Sequence, residues 1–560
     1  MVFDPVVSES ERHQELGAKL VTFSQGQEER LAQHRAQQLG LPYINLVVFP
    51  IDSDVLEKIP KTDALNAGTI LFYKQGADIR VGAVNPTAPA TIAMAAHIKK
   101  QLGYDPHIYS ISQRSLTASI ARYRRDAALE SAPQDELKIN QEQADTFATE
   151  LKNLEELGMR ITSMPPTEIL TAITISAVRL RASDIHIEPK EHNARLRFRI
   201  DGVLQDIVHF DRDGWALILS RVKVMARLKL NIHDAPQDGS FVLRIGEATY
   251  DMRLSTLPGG YGENIVIRLL NRSAEAVAMD ELGMKARDME VVMAELKRVN
   301  GMILITGPTG SGKTTTLASF LREVNVQGSK LITLEDPIEY RIAGIEQTQV
   351  DDDAGYTFAA GLRSILRQDP DVIMVGEMRD VETAETAVHA ALTGHLVFST
   401  LHTNDAAGAI PRLVDMGIRP YVLAPALNLV IAQRLVRVVC TSCGQEYDPD
   451  PALRTQIKES MKSIRKDIFD PAILDDPALR LMRAVGCMAC ENTGYHGRLG
   501  VFEIFAVVQE MKELILEGVS SANIQKVALA GGMTTIAQDA YLKVIDKKTT
   551  IEEVERVSQE

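Results

Sequence analysis

Cysteine is scarce: four residues in 560, gathered as "CTSC" (440–443) and "CMAC" (487–490). That is too few for a disulfide framework, and the close pairs suit a metal site in a reducing cytosol better than the cross-links of a secreted fold. Long apolar runs are missing too. A membrane-spanning helix needs about 20 predominantly apolar residues, and the best candidate, "VLAPALNLVIA" (422–432), is short and broken by Pro425 and Asn428. The opening "MVFDPVVSESERHQELG" lacks a basic region followed by an apolar core, so no secretory signal is expected. Basic charge is in deficit, 61 Lys and Arg against 75 Asp and Glu, a balance of −14. Extended contact with a polyanion is therefore disfavoured, although a local basic groove stays open. No internal repeat or low-complexity tract is present. What remains is an ordinary globular composition, 45% hydrophobic and 24% charged. A single core rarely serves beyond about 250–300 residues, so three or four domains are expected.

Residues 1–122 read as a small mixed α/β domain. "ERLAQHRAQQLGLPYINL" (29–46) is a helix stopped by Gly40, "TILFYKQGADIRVGAV" (69–84) a hairpin with Gly76 in its turn, and "TIAMAAHIKKQLG" (91–103) a helix ended by Gly103. Residues 123–164 are polar, without sustained periodicity, and are expected to be a linker, partly helical near "TELKNLEELG". A second domain, 165–275, opens with Ile169, Ile173, Ala177 and Leu180 on one helical face. It continues with the strand "DIHIEP" (184–189), a hairpin at "ARLRFRIDGVLQDIV" (194–208) and two strands around a glycine-rich loop at 248–270. From 285 to 560, strands and helices alternate, the pattern of a mostly parallel sheet. A cysteine-bounded insertion interrupts it at 440–490, and "ANIQKVALAGG" and "TIEEVERV" read as closing helices.

"GPTGSGKTTT" (307–316) fits G-x-x-x-x-G-K-[ST], following the strand "MILIT" and opening the helix "KTTTLASFLREV". In Gly307, Pro308, Thr309, Gly310, Ser311 and Gly312 the glycines let backbone N–H groups close around phosphate oxygens, and the helix start adds partial positive charge. Lys313 neutralises β- and γ-phosphates, Thr314 is placed to hold Mg²⁺, and Thr315 continues the loop. With both flanks correct, a chance glycine-rich turn is the weaker reading, and the site is expected to bind a nucleoside triphosphate.

Two acidic clusters follow. "LITLEDPIEY" (331–340) brings Glu335, Asp336 and Glu339 to a strand's carboxyl end, where open α/β sheets bind ligands. "DVIMVGEMRD" ends in Glu377 where such strands usually carry Asp. Mg²⁺ keeps several waters, so a longer glutamate can hold it through one, leaving another acid to activate the attacking water. A lone acid at a strand end more often caps a helix or pairs at the surface; the phosphate loop upstream reverses that balance. "TGHLVFSTLHTND" places His395 before a strand and His402 after it. A structural role is the plain reading; phosphate sensing or contact with a neighbouring subunit also fits two histidines bracketing one strand. Charge developing on the γ-phosphate is well stabilised by guanidinium groups. "RLRFRIDG" offers Arg195, Arg197 and Arg199, and "YDMRLSTLPGGYGENIVIRLL" offers Arg253 and Arg268; a solvated face is the plain alternative for each.

Together "GPTGSGKTTT", "TLEDPIEY", "RQDPDVIMVGEMRDVETAETA" and "TGHLVFSTLHTNDA" closely resemble the ATPases of type II secretion and type IV pilus assembly, whose four boxes occur here in family order. The resemblance is strong over 165–560 and looser in the N-terminal domain, through "LGLPYINL", "IDSDVLEKIP" and "VGAVNPTAPA". It implies an α/β fold: a RecA-like P-loop core, a preceding PAS-like α+β domain, a small N-terminal α/β domain and a zinc-binding insertion. It implies that Glu377 acts on the Mg²⁺ side and that Glu339 polarises the attacking water. It also implies that His395 and His402 couple nucleotide to the adjoining domain, and that Arg197, Arg199, Arg253 and Arg268 are supplied to the ATP site. After "PQDG" (236–239) relatives commonly carry arginine where Ser240 stands.

The implied assembly is a homo-hexamer on the cytoplasmic face of a bacterial inner membrane. It would act on a platform protein together with a cytoplasmic-face assembly protein. A nucleic-acid translocase or a pilus retraction ATPase is the alternative. No nucleic acid is expected, and the N-terminal sequence lacks the leading arginine that cyclic-di-GMP capture would use. The two C-x-x-C pairs, Cys440 with Cys443 and Cys487 with Cys490, complete a closed Cys₄ set for structural Zn²⁺, with two disulfides or a redox pair as the weaker reading in a cytosolic chain. Such binding contributes on the order of 10 kcal/mol to a small loop domain.

Overall fold

A computed structural model describes residues 28–120 apart from positions 48, 50, 52, 57, 76, 77 and 104, then 136–141, 166–272, 277–352, 354–518 and 520–559. The expected turn at Gly76 and the helix near "TELKNLEELG" lie outside those residues. The chain forms two compact units, Met1–Glu136 with Val224–His233, and Leu137–Lys223 with Asp234–Glu560.

In the first unit a helix over 28–39 ends at Gly40, whose φ of 64° is left-handed. Strands β1 (Thr69–Gln75) and β2 (Asp78–Ala83) are antiparallel, and β3 (His107–Ser110) joins β2 in parallel. The helix Pro89–Leu102 connects β2 to β3 and closes at Gly103, where the Gly103 N–H donates to Lys99 O. The core is Leu46, Ile70, Phe72, Val81, Ile98 and Ile111, with Phe72 edge-on to Phe49 and Tyr109.

The second unit contains two large sheets. The first holds β4 (Glu136–Ile139), β5 (Asp184–Pro189), β6 (Ala194–Ile200), β7 (Val203–Phe210), β8 (Gln237–Ile245), β9 (Ala248–Gly259) and β10 (Gly262–Asn271), in the order β4-β8-β9-β10-β5-β6-β7. Two strands depart from the sequence reading. β4 lies inside the expected linker, too short at four residues for its alternation to stand out. β8 begins just after Pro236 with the polar run "QDGS", which hides the alternation of Phe241, Leu243 and Ile245. The pleat puts Ile185, Ile187, Leu196, Phe198, Ile265 and Ile267 on the buried face and the arginines of β6 on the other.

The second sheet holds β11 (Gly301–Thr306), β12 (Leu331–Glu335), β13 (Glu346–Gln349), β14 (Val372–Val375), β15 (Leu396–Leu401), β16 (Leu427–Val439) and, beyond a short ribbon of β17 (Gln445–Tyr447) and β18 (Leu481–Arg483), β19 (Tyr495–Ala506). Its order is β13-β12-β14-β15-β11-β16-β19; all pairs are parallel except β16 with β19. Every residue of β11, β12, β14 and β15 is buried, since helices cover both faces of a parallel sheet. Ile303, Ile305 and Phe398 pack with Leu317 and Phe320 on one face; Met302, Leu304, Val375 and Val397 pack with Ala387 and Leu423 on the other. The parallel register brings the carboxyl ends of β11, β12, β14 and β15 to one edge.

Candidate nucleotide site and cysteine cluster

The phosphate loop leaves β11 and enters the helix Lys313–Val324. Gly307 and Gly312 have φ of 148° and 88°, conformations that L side chains rarely adopt. A Cβ at Gly307 would meet Gln433 O at 2.5 Å, and one at Gly312 would meet Gln433 Nε2 at 2.8 Å. The loop is pressed against β16, with Thr316 Oγ1 donating to Gln433 Oε1 at 2.9 Å. Lys313 Nζ folds over the loop, donating to Gly307 O at 2.8 Å and Pro308 O at 3.0 Å. Burial pushes Lys313 down to about 8; Glu377 and Glu339 oppose that shift, and Arg434 adds to it. Ser311 Oγ is buried without a hydrogen-bond partner. A depressed ammonium, an orphaned hydroxyl and a glycine-lined turn at a helix start fit a bound polyphosphate. Thr315 Oγ1 lies 3.0 Å from Tyr340 OH, which ties the loop to the segment carrying the first acids.

Those acids occupy distinct surroundings. Glu335 is buried, accepting from Thr333 Oγ1 at 2.6 Å and Gln347 Nε2 at 3.0 Å, and burial raises its pKa. Asp336, next to it, is exposed and lies 3.2 Å from Arg379 Nη1. Glu377, just past β14, pairs with Arg379 through one oxygen and faces His402 Nε2 at 3.4 Å through the other. Glu339 is half-buried, and its charge acts on both Lys313 and Arg253.

The two histidines part company. His402 follows the carboxyl end of β15, beside Glu377. His395 precedes Leu396, which pairs with Gly301 at the start of β11, so it sits at the opposite edge of the sheet, roughly 20 Å away by strand rise. There its Nδ1 lies 2.9 Å from Ala390 O, at the end of the helix Val381–Leu392.

The arginines also divide. Arg195 and Arg197 both bind Glu188, Arg199 donates to Gly202 O and lies 3.4 Å from Asp184, and Arg268 Nε donates to Asp184 at 3.0 Å. These four are held within their own sheet. Arg253 is the one whose surroundings include Glu339 and Asp336. Burial lowers its pKa, and those acids with Asp251 oppose the shift.

Sequence reading passed over Arg379, Gln433 and Arg434. Arg379 stands inside "GEMRD"; Gln433 and Arg434 interrupt the apolar stretch over residues 429–436 of β16, and that interruption is the available signal. Arg434 is buried beside the loop and donates from Nη2 to Asn404 O at 3.0 Å.

Cys440, Cys443, Cys487 and Cys490 place all four sulfurs within 4.8 Å of one another. Cys490 Sγ lies 3.7 Å from Cys443 Sγ and 3.8 Å from Cys487 Sγ. Tetrahedral zinc with Zn–S near 2.3 Å needs sulfurs roughly 3.8 Å apart, so the set fits that ion. Burial acts to raise the Cys490 pKa, but N–H donors from Cys487 and Gly494 outweigh it and leave the thiol lowered. The segment between the pairs carries a helix, Pro451–Ser460.

A family model for "Type II/IV secretion system protein" matches residues 162–556. The chain is similar to Type II secretion system protein E of Pseudomonas aeruginosa, 45% identical over 417 residues, 74% of this chain and 80% of that one. Type II secretion system ATPase E of Vibrio cholerae is 38% identical over 516 residues, 92% and 99% of the two chains. Type IV pilus assembly ATPase PilB of Myxococcus xanthus is 36% identical over 547 residues, 96% and 93%. Among solved structures, the X-ray structure of the Legionella pneumophila ATPase DotB superimposes with a TM-score of 0.51 at 20% identity, over 71% of this chain and 96% of that one, a likeness of fold alone. The expected RecA-like α/β core accords with it. The chain belongs to the type II/IV secretion system protein family.

Proposed function

We propose that this chain is the ATPase of a hexameric motor that powers type II secretion or type IV pilus assembly by acting on an inner-membrane platform protein. The observation that carries the reading is the convergence of Lys313, Glu377 and Glu339 at the carboxyl edge of the parallel sheet, where the two carboxylates both act on the Lys313 ammonium.

Lys313 would leave the carbonyls of Gly307 and Pro308 for the β- and γ-phosphates, while loop N–H groups and Ser311 Oγ hold phosphate oxygens. Thr314 and Glu377 would hold Mg²⁺, whose charge offsets that of the phosphates. Glu339 would take the proton of the attacking water as the bond from its oxygen to the γ-phosphorus forms and the bridging bond to the β-phosphate breaks. Arg253 would stabilise charge on the transferring group. His402 touches Glu377 and would report nucleotide state to the loop that holds it; His395 would serve by position, not contact. Arg197, Arg199 and Arg268 would reach a phosphate only by leaving Glu188 and Asp184, which suits a role on a neighbouring protomer. The cysteines would hold zinc as a structural ion. No helix among the described residues is long and apolar enough to cross a membrane, so membrane association would run through partners.

The test is steady-state hydrolysis by the full chain. Lys313→Ala and Glu377→Ala should each lower turnover more than about 100-fold. Wild-type turnover in Glu377→Ala removes its assignment. A chain that stays monomeric in saturating Mg-ATP yet turns over at full rate removes the motor.

A further inference from the structure

Beside Glu339 lies a cleft of ≈ 230 Å³ between one face of the first sheet, at β8, β9 and β10, and the segment after β12. Ser240, Asp251, Arg253 and Arg272 line one side, Glu339 and Arg341 the other. Arg272 is already matched, with Nη2 2.6 Å from Asp251 Oδ1 and Nε donating to Oδ2 at 2.8 Å. Among the described residues the guanidinium groups of Arg253 and Arg341 have no hydrogen-bond or ion-pair partner. Two unmatched cations therefore flank one carboxylate, an excess of positive charge that an anion entering the cleft would balance.

Position 240 explains how Arg341 gains access. Ser240 pairs directly with Arg253 across β8 and β9, so both side chains stand on the same face with Cβ atoms about 5 Å apart. A long side chain at 240 would project into the cleft alongside Arg253. Serine leaves that volume open to Arg341 from the opposite wall.

We propose that Arg341 is a second phosphate-contacting guanidinium, which with Arg253 clamps the terminal phosphoryl group of a nucleoside triphosphate beside Glu339. The inference rests on the hydrolytic reading above and adds a group from the same loop as the base. A guanidinium two residues from Glu339 moves with it, so closing that loop brings base and clamp to the phosphate in one step.

The experiment compares Arg341→Ala and Arg341→Lys in the full chain, reading kcat and, separately, the Kd of a fluorescent ATP analogue. Arg341→Ala should lower kcat about 10- to 100-fold with Kd within about 3-fold, and Lys should recover part of the loss. Ser240→Arg placed on Arg341→Ala should restore kcat at least about 5-fold, because it returns a guanidinium to the same volume. Unchanged kcat in Arg341→Ala overturns the clamp. So does a loss confined to Kd, a lysine variant no better than alanine, or a folded double variant with no recovery. Lys313→Ala measured in parallel separates the two readings: if it too hydrolyses at the wild-type rate, the nucleotide site itself is wrong; if it is dead while Arg341→Ala is not, only the clamp fails.

Discussion

The carboxylate of Glu377 lies 3.4 Å from His402 Nε2, and its other oxygen is held by Arg379, which also reaches Asp336 at 3.2 Å. The acid at the end of β14 is thus matched by a guanidinium and an imidazole. On the proposed reading a metal-bound triphosphate would compete with them, and these side chains would take a second arrangement when it binds.

His402→Ala should therefore lower turnover about 10-fold or more with ATP affinity within about 3-fold. His395→Ala should leave turnover within about 3-fold and cost about 1 kcal/mol of stability through the lost bond to Ala390 O. Steady-state kinetics and urea unfolding of both variants check the pair.

Burial holds Lys313 at about 8, below its ordinary 10.5. The folded state then binds fewer protons than the unfolded one between those values. The cost of burying the ammonium is full below about pH 8, and stability rises with pH through that window. Bound triphosphate favours the charged form, so binding should take up protons above about pH 8, and affinity should fall as pH rises further. Calorimetry near pH 8.5 in buffers of different ionisation enthalpy should show net uptake, and Lys313→Arg should remove it.

One zinc per chain should copurify with the protein. Cys440→Ser or Cys490→Ser should lose it and lower Tm by about 5 °C or more, with amide-exchange protection failing first between residues 440 and 490. Metal analysis, thermal melts and exchange read this directly.

Lys543 and Asp539 form an ion pair with side chains only 3% and 1% exposed, and Asp539 Oδ2 also accepts from Phe502 N at 2.9 Å. Lys543→Met strands that charge and should cost about 3–5 kcal/mol; adding Asp539→Leu should recover much of it. Denaturant unfolding of both variants decides.

What the sequence made legible was whatever depends on local spacing. The loop from Gly307 to Thr314 needs closely spaced glycines, Glu335 and Glu377 each end an apolar run, and the cysteine pairs carry their own bite. What depends on register between distant strands was hidden. His395 and His402 bracket one strand and look equivalent along the chain, yet six residues of extended backbone put them at opposite edges. Arg253 and Arg268 are cross-strand partners on one face, but only Arg268 has Asp184 within reach, and no alternation pattern distinguishes them. Gln433 and Arg434 become floor to the phosphate loop only because β16 lies next to β11, an adjacency that crosses well over a hundred residues of chain.

Strand β16 carries Gln433 beneath the phosphate loop and runs on to Val439, with one register irregularity against β19 between Arg437 and Val439, and Cys440 comes next. The six residue steps from Arg434 to Cys440 span about 20 Å of backbone paired along most of its length with β19. Sulfur knot and triphosphate cradle thus share one stiff spar, and loosening the anchorage at one end slackens the seat at the other.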